Sequence, residues 1–151
     1  MIYTLHRDIR LALPLGEVFE FFAQAENLEK ITPPWMRFQI VTPPPIEMRE
    51  GATIEYKLRV HGLPMRWLTT IERWNPPFEF VDVQTRGPYK LWRHTHRFSE
   101  VAFGTLVEDI VEYELPFGPL GRLIHWLQVD RDLKHIFDYR GRQVHRLLPV
   151  R

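Results

Sequence analysis

Cysteine is absent from the 151-residue chain, and serine occurs only at Ser99. Without cysteine the chain cannot form a disulfide, a thiolate nucleophile or a cysteine-ligated zinc or iron–sulfur site, which excludes several classes of enzyme. The lack of disulfides also favours a cytoplasmic location. No apolar run approaches the roughly 18 residues of a membrane-spanning helix, so we expect no membrane span.

Strong charge of either sign is absent as well. The chain has 20 basic and 19 acidic residues, a formal net charge of +1, and this balance indicates no nucleic-acid partner. Residues 121–151 carry seven Lys and Arg against three Asp. These residues are spread around the predicted helix, which favours a solvated face over a surface for RNA or anionic lipid. The sequence also lacks a phosphate-binding glycine loop, a Gly-x-Ser-x-Gly motif and a His-Glu-x-x-His motif.

Proline and aromatic residues, in contrast, are plentiful. The chain has 13 prolines, with clusters at positions 33–34, 43–45 and 76–77, and 13% of its residues are aromatic. Because proline lacks a backbone donor and restricts the residue before it, these clusters predict loops. The segments between them alternate apolar and polar residues, as strands do. We predict about seven strands, at residues 2–12, 36–40, 54–60, 65–71, 78–86, 90–99 and 105–115.

Helical periodicity occupies two regions. Pro14 opens one helix, and a shorter helical turn at residues 25–31 follows it. After residue 119 the chain is helical, with an apolar stripe at residues 120–127 that predicts a packed helix or a cover for a cavity mouth. A change of phase near residues 128–130 predicts a bend or break before a long final helix. Residues 1–151 are therefore expected to form one α+β domain, a curved antiparallel sheet wrapped around the C-terminal helix.

Several motifs carry a resemblance to a known superfamily. They are PLGEVFEFF at residues 14–22, NLEKITPP at 27–34, GPYKLWRHTHRF at 87–98, GTLVEDIVEYELPFG at 104–118 and IFDYR at 136–140. With the order of elements, they resemble the START and birch-pollen-allergen-like (SRPBCC, helix-grip) superfamily, in its polyketide-cyclase and lipid-transport branch, and look like a bacterial ligand-binding subfamily. The resemblance implies the helix-grip fold. It implies little about function, because members of this superfamily differ widely in activity.

Strand periodicity predicts which polar side chains face the interior. At residues 90–99 the aromatic face also carries His94 and His96, and at residues 105–115 Asp109 is the only charged residue on the apolar face. A hairpin that keeps both apolar faces inward sets Asp109 beside one of the two histidines. At residues 78–86 both faces are mixed, so the orientations of Asp82 and Gln84 stay open.

Three interpretations of this group compete. His94, His96 and Asp109 can satisfy one another as polar packing, can anchor the polar end of a ligand, or can form a catalytic acid–base pair. The two histidines and Asp109 could together ligate a metal, but two histidines and one carboxylate do not establish a metal site, so we predict neither a metal nor a cofactor. We predict a cavity for a small hydrophobic molecule such as a lipid, a polyketide or an aromatic compound. The expected contact residues are Tyr56, Trp67, Thr69, Gln84, Trp92, Phe98, Tyr113, Phe137 and Arg140.

Two other functions stay open on this sequence. One is a cyclase or dehydratase of the polyketide type that uses a His–Asp pair as acid and base. The other is a noncatalytic partner or regulatory domain with a filled core. The sequence leaves the oligomeric state open between a monomer and a homodimer.

Overall fold

One antiparallel sheet dominates the computed structural model, which describes residues 1–148. Its seven strands follow the order β1-β7-β6-β5-β4-β3-β2, so every pairing except β1 with β7 joins neighbours along the chain. The strands are β1 Tyr3–Leu11, β2 Gln39–Ile40, β3 Thr53–Val60, β4 Leu63–Asn75, β5 Glu79–Arg86, β6 Leu91–Val101 and β7 Gly104–Glu114. The predicted seven-stranded sheet is confirmed. The second strand is shorter than predicted, because Pro34–Met36 forms a 3-10 turn.

Helices cover one face of this sheet. The predicted arrangement, two short helices after the first strand and a long one at the end, is confirmed. They are α1 Leu15–Ala23, α2 Leu28–Ile31, α3 Gly118–Ile124 and α4 Asp130–Leu147. The predicted bend or break before α4 is a π-helical turn, His125–Val129, that joins α3 to α4 without interruption. The wider π turn accommodates the change of apolar phase within a continuous helical path.

Strand periodicity sets the interior of the fold. Along β6 and β7 alternate residues are buried, because successive side chains of a strand point to opposite faces. On α4 the buried residues are Leu133, Phe137, Arg140 and Val144, a spacing that places them on one face of a helix. This face packs over the concave side of the sheet and completes the helix-grip fold. Within residues 1–148, no helix is long and apolar enough to cross a membrane.

Candidate functional site

A row of ionisable side chains crosses the core between the sheet and α4. We call it the polar belt, and it consists of Asp82 on β5, His94 and His96 on β6, Asp109 on β7 and Arg140 on α4. On β6, β7 and α4 the neighbouring inward positions on both sides are apolar. These neighbours are Trp92, Phe98, Val107, Val111, Phe137 and Val144. The belt is therefore a thin polar layer between two apolar clusters.

Asp109 and Arg140 form the central ion pair of the belt. Arg140 Nη2 donates to Asp109 Oδ1 at 3.1 Å, and its Nε lies 3.3 Å from Oδ2. His94 Nε2 lies 2.8 Å from the same Oδ1. Burial alone would raise the pKa of Asp109, but Arg140 and the hydrogen bond from His94 hold it well below its usual range. Asp109 is therefore a buried, fully paired carboxylate.

His96 and Asp82 form the other half of the belt. His96 Nε2 lies 2.5 Å from Asp82 Oδ2, and Arg140 Nη2 lies 3.4 Å from His96 Nδ1. Because arginine can only donate, this geometry assigns the proton of a neutral His96 to Nε2. Burial and the neighbouring His94 lower the pKa of His96 to about 4, although Asp82 opposes this shift. Burial alone would raise the pKa of Asp82, but the hydrogen bond from His96 lowers it.

The belt satisfies its own hydrogen-bonding groups, and its permanent charges are unequal in number. Among residues 1–148, no buried side-chain nitrogen or oxygen is without a hydrogen-bond partner. Apart from the histidines, the belt holds the two negative charges of Asp82 and Asp109 against the one positive charge of Arg140. A group that donates a hydrogen bond or carries positive charge would therefore suit the belt better than an anion.

A small cavity opens from the Asp82 end of the belt. Its volume is about 50 Å³, and it lies between β3 to β5 and the two short helices α1 and α2. Since a buried water needs roughly 10–15 Å³ of such volume, the cavity has room for about four waters. The walls are mainly apolar, and the polar contributions at the inner end come from Thr69, Asp82, His96 and Arg140. Thr69 also accepts a hydrogen bond from the indole of Trp67 at 3.1 Å.

The residues predicted from the sequence divide between the cavity and the packed core. Tyr56, Thr69, His96 and Arg140 line the cavity. His94 and Asp109 belong to the belt but do not line the cavity. Gln84, on β5, bonds to the turn that follows this strand. The other predicted residues pack in the apolar clusters beside the belt, and they are Trp67, Trp92, Phe98, Tyr113 and Phe137. The backbone N–H of Tyr89 donates a hydrogen bond to Gln84 Oε1, and Gln84 Nε2 donates one to the carbonyl oxygen of Tyr89.

Asp82 is the site residue that sequence reasoning left undecided. Both faces of its strand mix apolar and polar residues, so periodicity gives no orientation there. The pairing register resolves the ambiguity, since Asp82 lies opposite His94. Two register shifts between β4 and β5, one with its extra residue on each strand, disturb the alternation that regular strands would keep.

The same residues include a geometry that a metal ion can use. One ligand atom from each of Asp82, His94 and His96 lies within 4.8 Å of the others. The Arg140 guanidinium also contacts this group, and its positive charge opposes a divalent cation. The contacts therefore favour an internally hydrogen-bonded belt over a metal centre.

An antiparallel sheet gripping a C-terminal helix, with a polar belt beside an apolar cavity, defines a helix-grip protein. The sequence profile of the family described as "Polyketide cyclase / dehydrase and lipid transport" matches residues 11–136. The chain therefore belongs to this family. A comparison with curated protein sequences found no significant match.

Solved structures with the same fold come from several organisms. Protein CV1439 from Chromobacterium violaceum superposes with a TM-score of 0.74 at 12% identity, covering 98% of each chain. A START superfamily protein from Mycobacterium smegmatis gives 0.70 at 11% identity, covering 95% of this chain and 98% of that one. Major latex-like protein 151 from Panax ginseng gives 0.59 at 15% identity, covering 89% and 97%. At these identities the similarity establishes the fold alone, and it agrees with the superfamily expected from the motifs.

Proposed function

We propose that residues 1–151 act as a single domain that binds a small hydrophobic molecule, with its polar end directed at the belt. One observation carries the proposal: an apolar cavity ends on Asp82, His96 and Arg140. A pocket that is apolar except for a few convergent polar groups is typical of small-molecule sites. The family assignment supports the same kind of ligand. A cytoplasmic location, argued from the absence of cysteine, belongs to this proposal.

The charge of the belt selects the polar end of the ligand. Asp82 has one hydrogen-bonding partner in the belt, His96, whereas Asp109 has both His94 and Arg140. A hydroxyl or amine of the ligand can donate to Asp82, but a carboxylate would be repelled by the negative charge of Asp82. We therefore expect an alcohol, a phenol or an amine rather than an acid.

The volume of the cavity limits the size of the ligand that can bind without movement of the protein. A volume of about 50 Å³ holds a polar head and a few carbons. A larger ligand must displace the wall formed by α1 and α2, of nine and four residues. In this proposal the short helices move and the sheet with its belt stays fixed.

The first experiment is native mass spectrometry of the freshly purified protein, followed by organic extraction of any released compound. We expect an apolar compound at one per chain. Titration with benzyl alcohol, benzylamine and benzoate then tests the polar end. The alcohol and the amine should bind and benzoate should bind least.

Two variants locate the binding on the belt. Asp82→Asn should weaken benzylamine binding about tenfold or more, the usual effect of losing a charge-assisted hydrogen bond. Asp8→Asn makes the same change at an exposed residue of β1 and should leave binding unchanged. If no compound co-purifies and none of the three probes binds, the noncatalytic partner domain with a filled core becomes the better account.

A second candidate is an enzyme of the cyclase or dehydratase type. The observation in its favour is that His96, a neutral histidine, lines the cavity between a carboxylate and a guanidinium. Its Nδ1 can accept a proton once Arg140 turns to the ligand. Loss of water from a β-hydroxy ketone, followed by the absorbance of the enone, is the assay. Activity that His96→Gln abolishes and Asp8→Asn leaves intact would favour this candidate.

A further inference from the structure

The segment that joins the sheet to α4 exposes its apolar side chains. We define the apolar ridge as residues 117–128, which comprise α3, its preceding residue and most of the π-helical turn. Phe117 and Trp126 are 74% and 78% exposed, and the other large apolar residues of the ridge are at least 41% exposed. Those others are Leu120, Leu123, Ile124 and Leu127. The predicted packed stripe at residues 120–127 was therefore wrong, because this stripe faces outward.

Specific contacts hold the ridge in this orientation. Gly121, the one buried residue of the ridge, packs so closely that a Cβ would collide with the carbonyl oxygen of Pro116. His125 stacks on Tyr3 with ring centroids 3.5 Å apart and lies 2.7 Å from the Tyr113 hydroxyl. Gly121 and His125 are one helical turn apart, so they mark the inner face of the helix. Turning the apolar side inward would break all these contacts.

Further exposed apolar residues lie at the same end of the molecule. The amino group of Met1 pairs with Glu114, just before the ridge, at 3.2 Å. Met1 and its neighbour Ile2 are both more than half exposed. At the turn between β3 and β4, His61 contacts Asp132 of α4 at 2.8 Å, which brings the exposed Leu63 to this end. Large apolar patches on a soluble surface mark binding sites for proteins or membranes.

Positive charge lies next to this apolar end. The outer face of the hairpin of β3 and β4 borders a surface groove, and every charged residue that lines this groove is basic. These residues are Arg37, Lys57, Arg59 and Arg66. Arg66 pairs with Glu55 at 2.7 Å. The only charged residue of the ridge itself is Arg122, which is also exposed.

We propose that this end of the molecule docks on the surface of an anionic lipid bilayer. The ridge enters the boundary between headgroups and acyl chains, and the cations of the hairpin contact the headgroups. Exposed tryptophan, leucine and phenylalanine beside basic residues are what such interfacial helices present. Juxtaposed cations add attraction to an anionic surface. The proposal rests on the ridge and the hairpin, and it stands whether or not the cavity binds a ligand.

The charges favour a bilayer over a second copy of the chain. A twofold dimer uses the same patch on both subunits, so it would bring Arg122 and the hairpin cations of one copy toward those of the other. An anionic surface complements the same charges. Docking through the ridge also brings the β3 and β4 hairpin, which carries cavity residues Tyr56 and Thr69, close to the lipid.

The test is co-sedimentation with vesicles. One set contains phosphatidylcholine alone, and the other contains equal parts of phosphatidylcholine and phosphatidylglycerol. We expect the protein to bind the anionic vesicles at least tenfold more tightly and to lose this advantage at high salt. The double variant Leu123→Gln and Leu127→Gln should reduce binding to the anionic vesicles at least tenfold. The double variant Lys57→Gln and Arg59→Gln should reduce the preference for anionic lipid.

A matched control is Phe103→Gln, which removes a residue that is 97% exposed in the turn between β6 and β7, at the far end of β7 from the ridge. Its vesicle binding should equal that of the unchanged protein. Circular dichroism checks that the exposed substitutions leave the fold intact. Equal binding by the ridge variant and the unchanged protein would overturn the proposal. A dimer in sedimentation velocity that the ridge variant abolishes, with no vesicle binding, would assign the ridge to a second copy instead.

Discussion

Replacing Arg140 by methionine removes the only arginine of the polar belt and keeps most of the side-chain volume. Arg140 is 7% exposed, and it makes two contacts to Asp109 and one to His96. Its guanidinium also lies 5.4 Å from the ring centre of Phe22. After the substitution Asp109 keeps a single donor, His94, in a largely buried position. We expect the free energy of unfolding to fall by about 3–5 kcal/mol, the usual effect of breaking a buried ion pair.

A double-mutant cycle separates lost pairing from lost packing. If Arg140→Met loses stability because Asp109 is left as an unpaired buried carboxylate, then adding Asp109→Asn should restore part of the lost free energy of unfolding. The coupling energy between the two substitutions should be about 2 kcal/mol or more. Urea unfolding at pH 7, followed by both tryptophan fluorescence and far-UV circular dichroism, measures each corner. Arg142→Met, an exposed change two residues away on α4, should stay within about 0.5 kcal/mol.

The pH dependence of the stability lost in Arg140→Met tests whether the ion pair with Asp109 causes the loss. Arg140 is the largest of the influences that hold the pKa of Asp109 down against burial, and the hydrogen bond from His94 is the next. In Arg140→Met the pKa of Asp109 should rise relative to that in the unchanged protein, so the deficit in stability should grow with pH and shrink as the carboxyl becomes protonated. A deficit under about 1 kcal/mol, additive with Asp109→Asn and constant with pH, would refute the view that an ion pair organises the belt.

Three further predictions concern the belt and the strand ends. The pKa of His96 is about 4 in the folded protein, against a usual 6.5. Between pH 6.5 and pH 4 the unfolded chain therefore binds more protons than the folded one. The free energy of unfolding should fall by up to about 3 kcal/mol as the pH drops through this range. Urea unfolding across that range should show a smaller fall for His96→Gln. Thr105 Oγ1 donates to the Leu13 carbonyl oxygen at 2.8 Å. In the same assay Thr105→Val should lower the free energy of unfolding by about 1–2 kcal/mol, because this carbonyl loses its donor, and Thr105→Ser should lower it less. Gly104→Ala should lower Tm by several degrees, because its Cβ would collide with the Leu11 carbonyl oxygen, and an unchanged Tm would contradict this packing.

The periodicity of β6 and β7 was enough to predict which polar side chains at the centre of the candidate site face the interior. In these strands alternation is regular, so His94, His96 and Asp109 stand out as polar residues on an apolar face. The inward position of Arg140 follows from Phe137 by helical spacing. The family motifs and the order of elements predicted the fold, which the sheet topology confirms.

The remaining parts depend on tertiary contacts that periodicity does not encode. Asp82 joins the belt through the register between β5 and β6, and a pattern of apolar and polar residues does not show the register shifts between β4 and β5. The exposed apolar residues of α3 recur at the same helical spacing as the apolar residues of a buried helix face, so the sequence pattern does not distinguish the two. Only the docking of Gly121 and His125, one turn apart, determines which side of that helix meets the sheet.

The pairing of β1 with β7 has a consequence for how the chain folds. Tyr3 lies opposite Tyr113, and Leu11 lies opposite Thr105, so these partners are 110 and 94 residues apart, whereas all other strands pair with their neighbours along the chain. During synthesis the hairpins from β2 to β7 can assemble in order, but β1 leaves the ribosome first and has no partner until the last strand is made. Closing so long a loop is slow. Until it closes, the open edge of β7 is the place where a nascent chain is most exposed to misassembly with its neighbours.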